Sequence, residues 1–154
     1  VVAGQAKGRD GMGISGYIAR AKELGLSENI LWRCEYIPDN EVPNLFELCD
    51  WVAMPYSSRF TSQSGVLNVA MAHHRPVLVS ATPTIAETLE NFQVGVMVCP
   101  DSLEELGQAI ARFLNVGANC FKESIESYLK RYSWEKNAST TALVYEELQR
   151  ACVE

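Results

Sequence analysis

Five short apolar segments alternate with segments of helical periodicity, and this alternation limits the fold more than any other feature of the chain. The apolar segments are VVAG (1–4), NILWRCEY (29–36), DWVAMPY (50–56), RPVLVS (75–80) and VGVMV (94–98). They are mostly continuous rather than strictly alternating, which is typical of strands in a parallel sheet that helices cover on both faces. With right-handed crossovers, the pattern predicts an α/β fold, a doubly wound parallel sheet flanked by helices in one domain.

The helical segments carry their own start and stop signals. Gly25 is expected to end the first helix, Pro43 to lie in the first turn of a short second helix, and Ser102 and Ser133 to cap later helices. The apolar positions predicted to face the core, together with Trp134 at the start of the last helix, are Ile14, Tyr17, Ile18, Ala21, Leu24, Val42, Leu45, Phe46, Cys49, Val66, Leu67, Ala70, Met71, Leu103, Leu106, Ile110, Phe113 and Leu114.

Composition removes several classes of function. The 154 residues carry a formal net charge of −6, which argues against a nucleic-acid partner because phosphate backbones need a basic surface. No apolar run is long enough to span a membrane, although peripheral contact through a local basic patch stays open. The start of the chain lacks the apolar region of a signal peptide, so a cytoplasmic location is predicted.

The cysteines and histidines do not suggest a metal site. The five cysteines are widely spaced with no C-x-x-C pair, and are predicted to be buried thiols in a reducing compartment. His73 and His74 are adjacent, so they point to different sides of a helix and cannot chelate one ion together. Neither a metal nor a cofactor is expected.

Small polar residues and glycine precede the helix that follows the third strand. Ser62-Gln63-Ser64-Gly65 lies where ligands bind in such sheets, beyond the carboxyl ends of the strands. The first N–H groups of a helix lack intrahelical acceptors and attract anions, and glycine admits a ligand close to the backbone. The tetrapeptide therefore predicts either a phosphate site or a serine helix cap, and the residues alone leave both open.

Two other loops are weaker candidates. The segment GQAKGRDGMG (4–13) does not have the G-x-G-x-x-G spacing of a dinucleotide fingerprint, which favours a surface loop. Glu87 lies near the start of a helix at the ligand edge. It either holds a hydroxyl group of a ligand or is only a carboxylate favoured in the N-terminal half of a helix by the helix dipole. Paired catalytic carboxylates are absent from any one element, so a self-contained hydrolase is disfavoured.

Six segments in order are similar to one known family. They are VVAGQ, LGLSENILWRCEYIPDNEVPNLFELCDWVAMPY, LNVAMAHHRPVLVS, IAETLENFQVGVMV, DSLEELGQAIARFL and YSWEKNA, running from residue 1 to about residue 149. Together they resemble the C-terminal, donor-binding domain of retaining glycosyltransferases with the two-domain GT-B fold. The S-Q-S-G-V form resembles a variant branch of that family.

The resemblance implies a set of donor contacts. The amides of Gln63 and Ser64 would face the donor sugar, and those of Gly65 and Val66 the diphosphate. The backbone of Tyr36, Ile37 and Pro38 would border the base. The two family glutamates that contact the sugar and the ribose correspond here to Thr61 and Val69, so both carboxylates are missing.

The resemblance also implies a function for the parent protein. It would transfer a sugar from a nucleotide-diphosphate donor to a hydroxyl acceptor with retention, without a metal ion. The family's first strand–helix unit, which carries a basic pair, and its N-terminal acceptor domain would precede residue 1. The chain is therefore expected to be an inactive fragment of an enzyme. A non-catalytic nucleotide-binding or regulatory module and a nucleotide-sugar epimerase-like domain remain alternatives.

Overall fold

The computed structural model describes residues 1–5 and 13–151. Within these ranges the chain forms five strands and seven α-helices in the order that the sequence predicts. They fall into two compact units, Val1–Leu45 and Phe46–Glu154. The strands are parallel and the larger sheet is covered by helices on both faces, so the predicted α/β class is confirmed.

The first unit contains a two-stranded parallel sheet. Strands β1 (Val2–Ala3) and β2 (Trp32–Arg33) pair with Val2 opposite Trp32. Helix α1 (Gly13–Glu23) lies between them in sequence and buries only Ala21. Gly25, at a φ of +69°, follows the helix as predicted, and the N–H of Leu26 bonds back to the carbonyl of Ala21 at 2.8 Å. Helix α2 (Val42–Glu47) follows, with Pro43 in its first turn.

The second unit is built on a three-stranded parallel sheet in the order β3-β4-β5. The strands are β3 (Val52–Met54), β4 (Val77–Ser80) and β5 (Gly95–Val98), and Ala53 pairs with Leu78, which pairs with Val96. The helices are α3 (Gly65–Ala72), α4 (Pro83–Phe92), α5 (Leu103–Val116), α6 (Lys122–Arg131) and α7 (Trp134–Ala151).

The central strand β4 is buried on both faces, because successive side chains of a strand point to opposite sides. Val77 and Val79 pack against the buried faces of α3, α4 and α6, contributed by Leu67, Met71, Ile85, Leu89, Ile125 and Tyr128. Leu78 packs on the other face with Val98 and Ala109 of α5. This double coverage explains why β4 reads as a continuous apolar run in the sequence.

Gly95 is needed by the sheet itself. A Cβ placed on Gly95 would lie 2.0 Å from the backbone oxygen of Val77. The two strands therefore approach each other here at a distance that no side chain permits.

Several expected core residues turn out to be exposed. Leu103 and Leu114 of α5 are 84% and 72% exposed, and Val66 of α3 is 44% exposed. Tyr17 and Ile18 of α1 and Leu24, directly after this helix, are also exposed. A helix presents only one stripe to the core, and these side chains lie beside that stripe rather than in it.

Two further expectations were wrong. Trp134 opens α7 behind the predicted Ser133 cap, which accepts the N–H of Lys136 at 3.1 Å, yet it is 84% exposed because α7 buries no side chain. The cysteines are not buried thiols: Cys99 and Cys120 are exposed, and Cys34 and Cys49 are half-buried. Cys152 lies outside the described residues. In the part of the chain that the structure describes, no helix is long and apolar enough to cross a membrane.

Candidate functional site

Hydrogen bonds bring together the loops that follow the three strands of the larger sheet. The hydroxyl of Thr84, after β4, donates to the carbonyl of Ser62, after β3, at 3.1 Å. The N–H of Ser58, also after β3, donates to the carboxylate of Asp101, after β5, at 3.0 Å. The carboxyl ends of the strands thus form one continuous rim, as expected for a ligand-binding edge.

Ser64 is the cap of helix α3. Its hydroxyl oxygen accepts the N–H of Leu67 at 3.2 Å, lies 2.9 Å from the hydroxyl of Tyr56, and donates to the sulfur of Met54 at 3.7 Å. The residue is only 5% exposed, and Tyr56 is held in turn by stacking on Phe60 with ring centroids 4.0 Å apart. The helix-cap interpretation of this serine is therefore correct for its side chain.

Unlike the Ser64 side chain, the backbone N–H groups around Ser64 are not used in hydrogen bonds within the described residues. The successive N–H groups of Gln63, Ser64, Gly65 and Val66 have no acceptor among the residues that the structure describes. Helix geometry leaves the first N–H groups of α3 unpaired, and the preceding loop extends the row by two residues. A row of donors at the positive end of a helix dipole suits an anion.

Gly65 begins α3 without any packing reason to be glycine. A Cβ built there would have no atom within 4 Å, and the residue is exposed. Glycine is also a poor helix former, so neither packing nor propensity accounts for it. Space directly over the backbone N–H groups is the property that glycine supplies at this position.

The start of the neighbouring helix α4 offers far less to an anion. Pro83 has no N–H group, and the N–H groups of Ile85 and Ala86 both bond to the carbonyl of Thr82 at 3.0 and 2.8 Å. The Thr82 hydroxyl is buried and has no partner within the described residues. Of the two helix starts, that of α3 therefore offers the larger number of free N–H groups within the described residues.

The remaining predicted residues of the second unit lie on or near this rim. Thr61 is exposed in the loop before α3, and Val69 is half-buried in the second turn of α3. Glu87 is exposed on α4, one turn after Thr84. None of these three side chains makes a hydrogen bond to another described residue.

Tyr36, Ile37 and Pro38 belong to the first unit. Tyr36 is exposed, whereas Ile37 and Pro38 are half-buried. Their loop is held by Arg33 of β2, which bonds to the carboxylates of Glu35 at 2.6 Å and Glu41 at 2.9 Å. The bond from Arg33 lowers the pKa of Glu35, and both carboxylates raise that of Arg33.

Asp101 fixes the loop between β3 and α3. The bond from Ser58 lowers the pKa of the Asp101 carboxyl, and the nearby guanidinium of Arg59 lowers it further. Asp101 adopts a φ of +62°, which aspartate tolerates better than most residues. Sequence reasoning missed Tyr56, Thr84 and Asp101, and the only available signal was that each follows the carboxyl end of a strand.

Other sequence candidates contribute little. His73 stacks on Phe46 with ring centroids 5.5 Å apart; it is the C-cap of α3, and His74 follows the helix. Most of the glycine-rich loop, residues 6–12, lies outside the described residues. Within residues 1–5 and 13–151, no three His, Cys, Asp or Glu side chains are grouped so that they could hold a metal ion.

Comparison with protein families identifies the class of this chain. The model of the family described as "Glycosyl transferases group 1" matches residues 1–116. The match covers both sheets and continues through α5, so the chain belongs to this family of glycosyl transferases. No curated protein and no solved structure is significantly similar to the chain.

Proposed function

We propose that this chain is the donor-binding part of a retaining glycosyltransferase of GT-B architecture, and that it holds the diphosphate of a nucleotide sugar at the start of α3. The observation that carries the proposal is the row of N–H groups from Gln63 to Val66, which have no acceptor within the described residues. Group 1 family membership supports glycosyl transfer, and the open backbone at Gly65 supports close approach of a phosphate.

The residue roles follow from the family resemblance. The amides of Gln63 and Ser64 face the donor sugar, and those of Gly65 and Val66 face the diphosphate. Thr61 and Val69 border the sugar and the ribose, Glu87 is available to a donor hydroxyl, and Tyr36, Ile37 and Pro38 border the base. Backbone donors do not depend on side-chain identity, so they are retained in this S-Q-S-G form although both family glutamates are missing.

The chemistry required of this site is stabilisation of a leaving group. When the bond between the sugar and the diphosphate breaks, negative charge accumulates on the phosphate oxygens. N–H groups already aimed at that charge lower the barrier, and loss of one such donor costs about 3 kcal/mol of transition-state stabilisation. Neither a metal ion nor a second reactive side chain is needed for this contribution.

We also propose that the chain is one part of a longer protein. This proposal rests on the family resemblance, which places a strand–helix unit with a basic pair before the part that corresponds to residue 1. The acceptor would bind mainly to a further N-terminal domain.

Turnover of labelled nucleotide sugars by the full-length protein tests the function. Transfer to a hydroxyl acceptor with retained anomeric configuration is expected. Binding without transfer would instead support a nucleotide-binding regulatory module, and conversion of one nucleotide sugar into another would support an epimerase.

A pair of matched variants tests the site. Gly65→Asp places a carboxylate beside the N–H row, and we expect it to abolish binding of the nucleoside diphosphate while the melting temperature is kept. Gly107→Asp adds the same group to α5, at another helical glycine with no neighbour within 4 Å, and should bind normally. Equal affinity of both variants and the wild type would place the phosphate elsewhere.

A further inference from the structure

Thr84 is joined to the loop that carries the first N–H group of the row. Its hydroxyl donates to the carbonyl of Ser62 at 3.1 Å, across 22 positions of sequence. Among the described residues, this is the only hydrogen bond that Thr61, Ser62 or Gln63 makes. The segment just before the Ser64 cap therefore has one polar attachment to the rest of the unit, and Thr84 provides it.

The geometry of the peptide bond gives this attachment a consequence for the donors. The carbonyl of Ser62 and the N–H of Gln63 belong to one planar trans peptide unit and point in opposite directions. Because the carbonyl is directed at Thr84, the N–H of Gln63 is directed away from α4. A rotation of this peptide unit would remove Gln63 from the row of donors.

Thr84 is itself held firmly enough to act as a reference point. It lies in the first turn of α4, directly after Pro83, whose ring fixes φ. The next residue, Ile85, is 1% exposed in the core. Threonine is branched at Cβ, so few rotamers are open to its hydroxyl.

We propose that Thr84 is a positioning residue of the donor site, which orients the Gln63 N–H towards the bound donor sugar without touching the ligand. This inference depends on the function proposed above. It assigns a role to a residue that the family match does not single out and that the sequence pattern did not reveal.

Substitutions of two threonines in α4 separate this role from general stability. Thr84→Val removes the hydroxyl that holds Ser62, whereas Thr84→Ser keeps it. Thr88→Val is the matched control: the Thr88 hydroxyl also donates to a backbone carbonyl, that of Thr84 at 3.4 Å, but it has no bond to the loop. The measurement is calorimetric titration of the full-length protein with ADP-glucose, UDP-glucose and GDP-glucose, and with ADP, UDP and GDP as controls that lack the sugar.

We expect Thr84→Val to weaken binding of the preferred nucleotide sugar about fivefold, the effect of one ordinary hydrogen bond, and to leave binding of the diphosphate alone nearly unchanged. Thr84→Ser should recover most of the affinity, and Thr88→Val should bind like the wild type. In the ligand-free protein, the backbone amide chemical shifts of Ser62 and Gln63 should change in Thr84→Val and stay as in the wild type in Thr88→Val.

The outcomes distinguish this inference from the proposed function. If the wild type binds a nucleotide sugar and Thr84→Val binds it equally well, the positioning role is wrong and the donor site stands. Affinity that falls to the same extent in Thr84→Val and Thr88→Val reports only helix stability, and it also overturns the role. If the wild type binds the diphosphates but none of the nucleotide sugars more tightly, the role of Thr84 fails alone; if it binds neither kind of ligand, the proposed donor site fails and the role of Thr84 fails with it.

Discussion

At the scale of single residues, Ser64 and Gly65 stand side by side at the start of α3 and meet different demands. The Ser64 hydroxyl is fully engaged with Leu67, Tyr56 and Met54, so it acts as a cap. Gly65 contacts nothing that requires glycine. A cap and an anion site coexist here because the first uses a side chain and the second uses the backbone.

Gly95 offers a test of packing that is independent of the ligand site. Gly95→Ala should destabilise the fold by about 1–3 kcal/mol, because its Cβ would overlap the carbonyl of Val77 and force β4 and β5 apart. Gly107→Ala, in open space on α5, should be neutral or stabilising by up to ~1 kcal/mol. Urea unfolding of both variants measures the difference, and equal free energies of unfolding would contradict the close approach.

Asp101 gives a prediction for pH. Its carboxyl pKa is lowered by the bond from Ser58, so its contribution to stability is present above the unfolded-state pKa of about 3.9 and is lost as pH falls through the lower folded-state pKa. The amide proton shift of Ser58 should therefore follow an acid titration below the ordinary aspartate range. Asp101→Asn should remove that titration, and Asp39→Asn should leave it. A Ser58 titration that persists in Asp101→Asn would assign it to another group.

At the scale of secondary-structure elements, α3 and α7 are opposites. Helix α3 is short and buries Leu67, Ala70 and Met71, and Tyr128 of α6 holds it further through a 2.6 Å bond to Asn68. Helix α7 is longer but buries no side chain. Most of the stability of a helix in a protein comes from tertiary packing, so the longer helix is expected to open more easily.

Two aromatic residues make that expectation measurable in the chain of 154 residues. Trp134→Ala should change the free energy of unfolding by less than ~0.5 kcal/mol, because the indole is 84% exposed. Phe113→Ala should lower the free energy of unfolding by about 3–5 kcal/mol, because the ring is buried and stacks on Trp51 with ring centroids 4.5 Å apart. Similar losses in the two variants would mean that α7 is packed against the domain.

At the scale of the whole molecule, the proposed ligand site lies on the larger of the two sheets. The N–H groups of residues 63 to 66 lie at the carboxyl edge of the β3-β4-β5 sheet. Hydrogen bonds of Thr84 and Asp101 join the loops at this edge. The sequence carries a net charge of −6, and Arg59 is the only lysine or arginine between Trp51 and Ala72. A diphosphate bound here would therefore gain little from basic side chains of this segment.

We accordingly expect the 154-residue chain alone to transfer no sugar, because the proposed acceptor domain and basic pair lie outside it. Binding of a nucleoside diphosphate should be weak, about millimolar, since a few neutral donors contribute only about 4 kcal/mol. Salt should weaken it further, because the ligand is an anion. The assay compares the chain with the full-length protein under identical conditions. Comparable transfer by both would show that the chain is sufficient.

The sequence by itself determined the order and type of the elements, because period, capping and helix termination are local. Ser102, Ser133, Gly25 and Pro43 act at the helix ends where their chemistry predicts. The row of residues 63 to 66 was also visible, since a glycine and small polar residues before a helix are a local signal.

Only the tertiary structure decided which surfaces meet. The bond between Thr84 and Ser62, the approach of Gly95 to Val77 and the exposure of Trp134 depend on partners distant in the chain. Helical periodicity fixes which residues share a face, but the neighbours of that face come from strand order and register. An apolar residue such as Leu103 or Trp134 therefore has the same sequence pattern whether or not another element covers it.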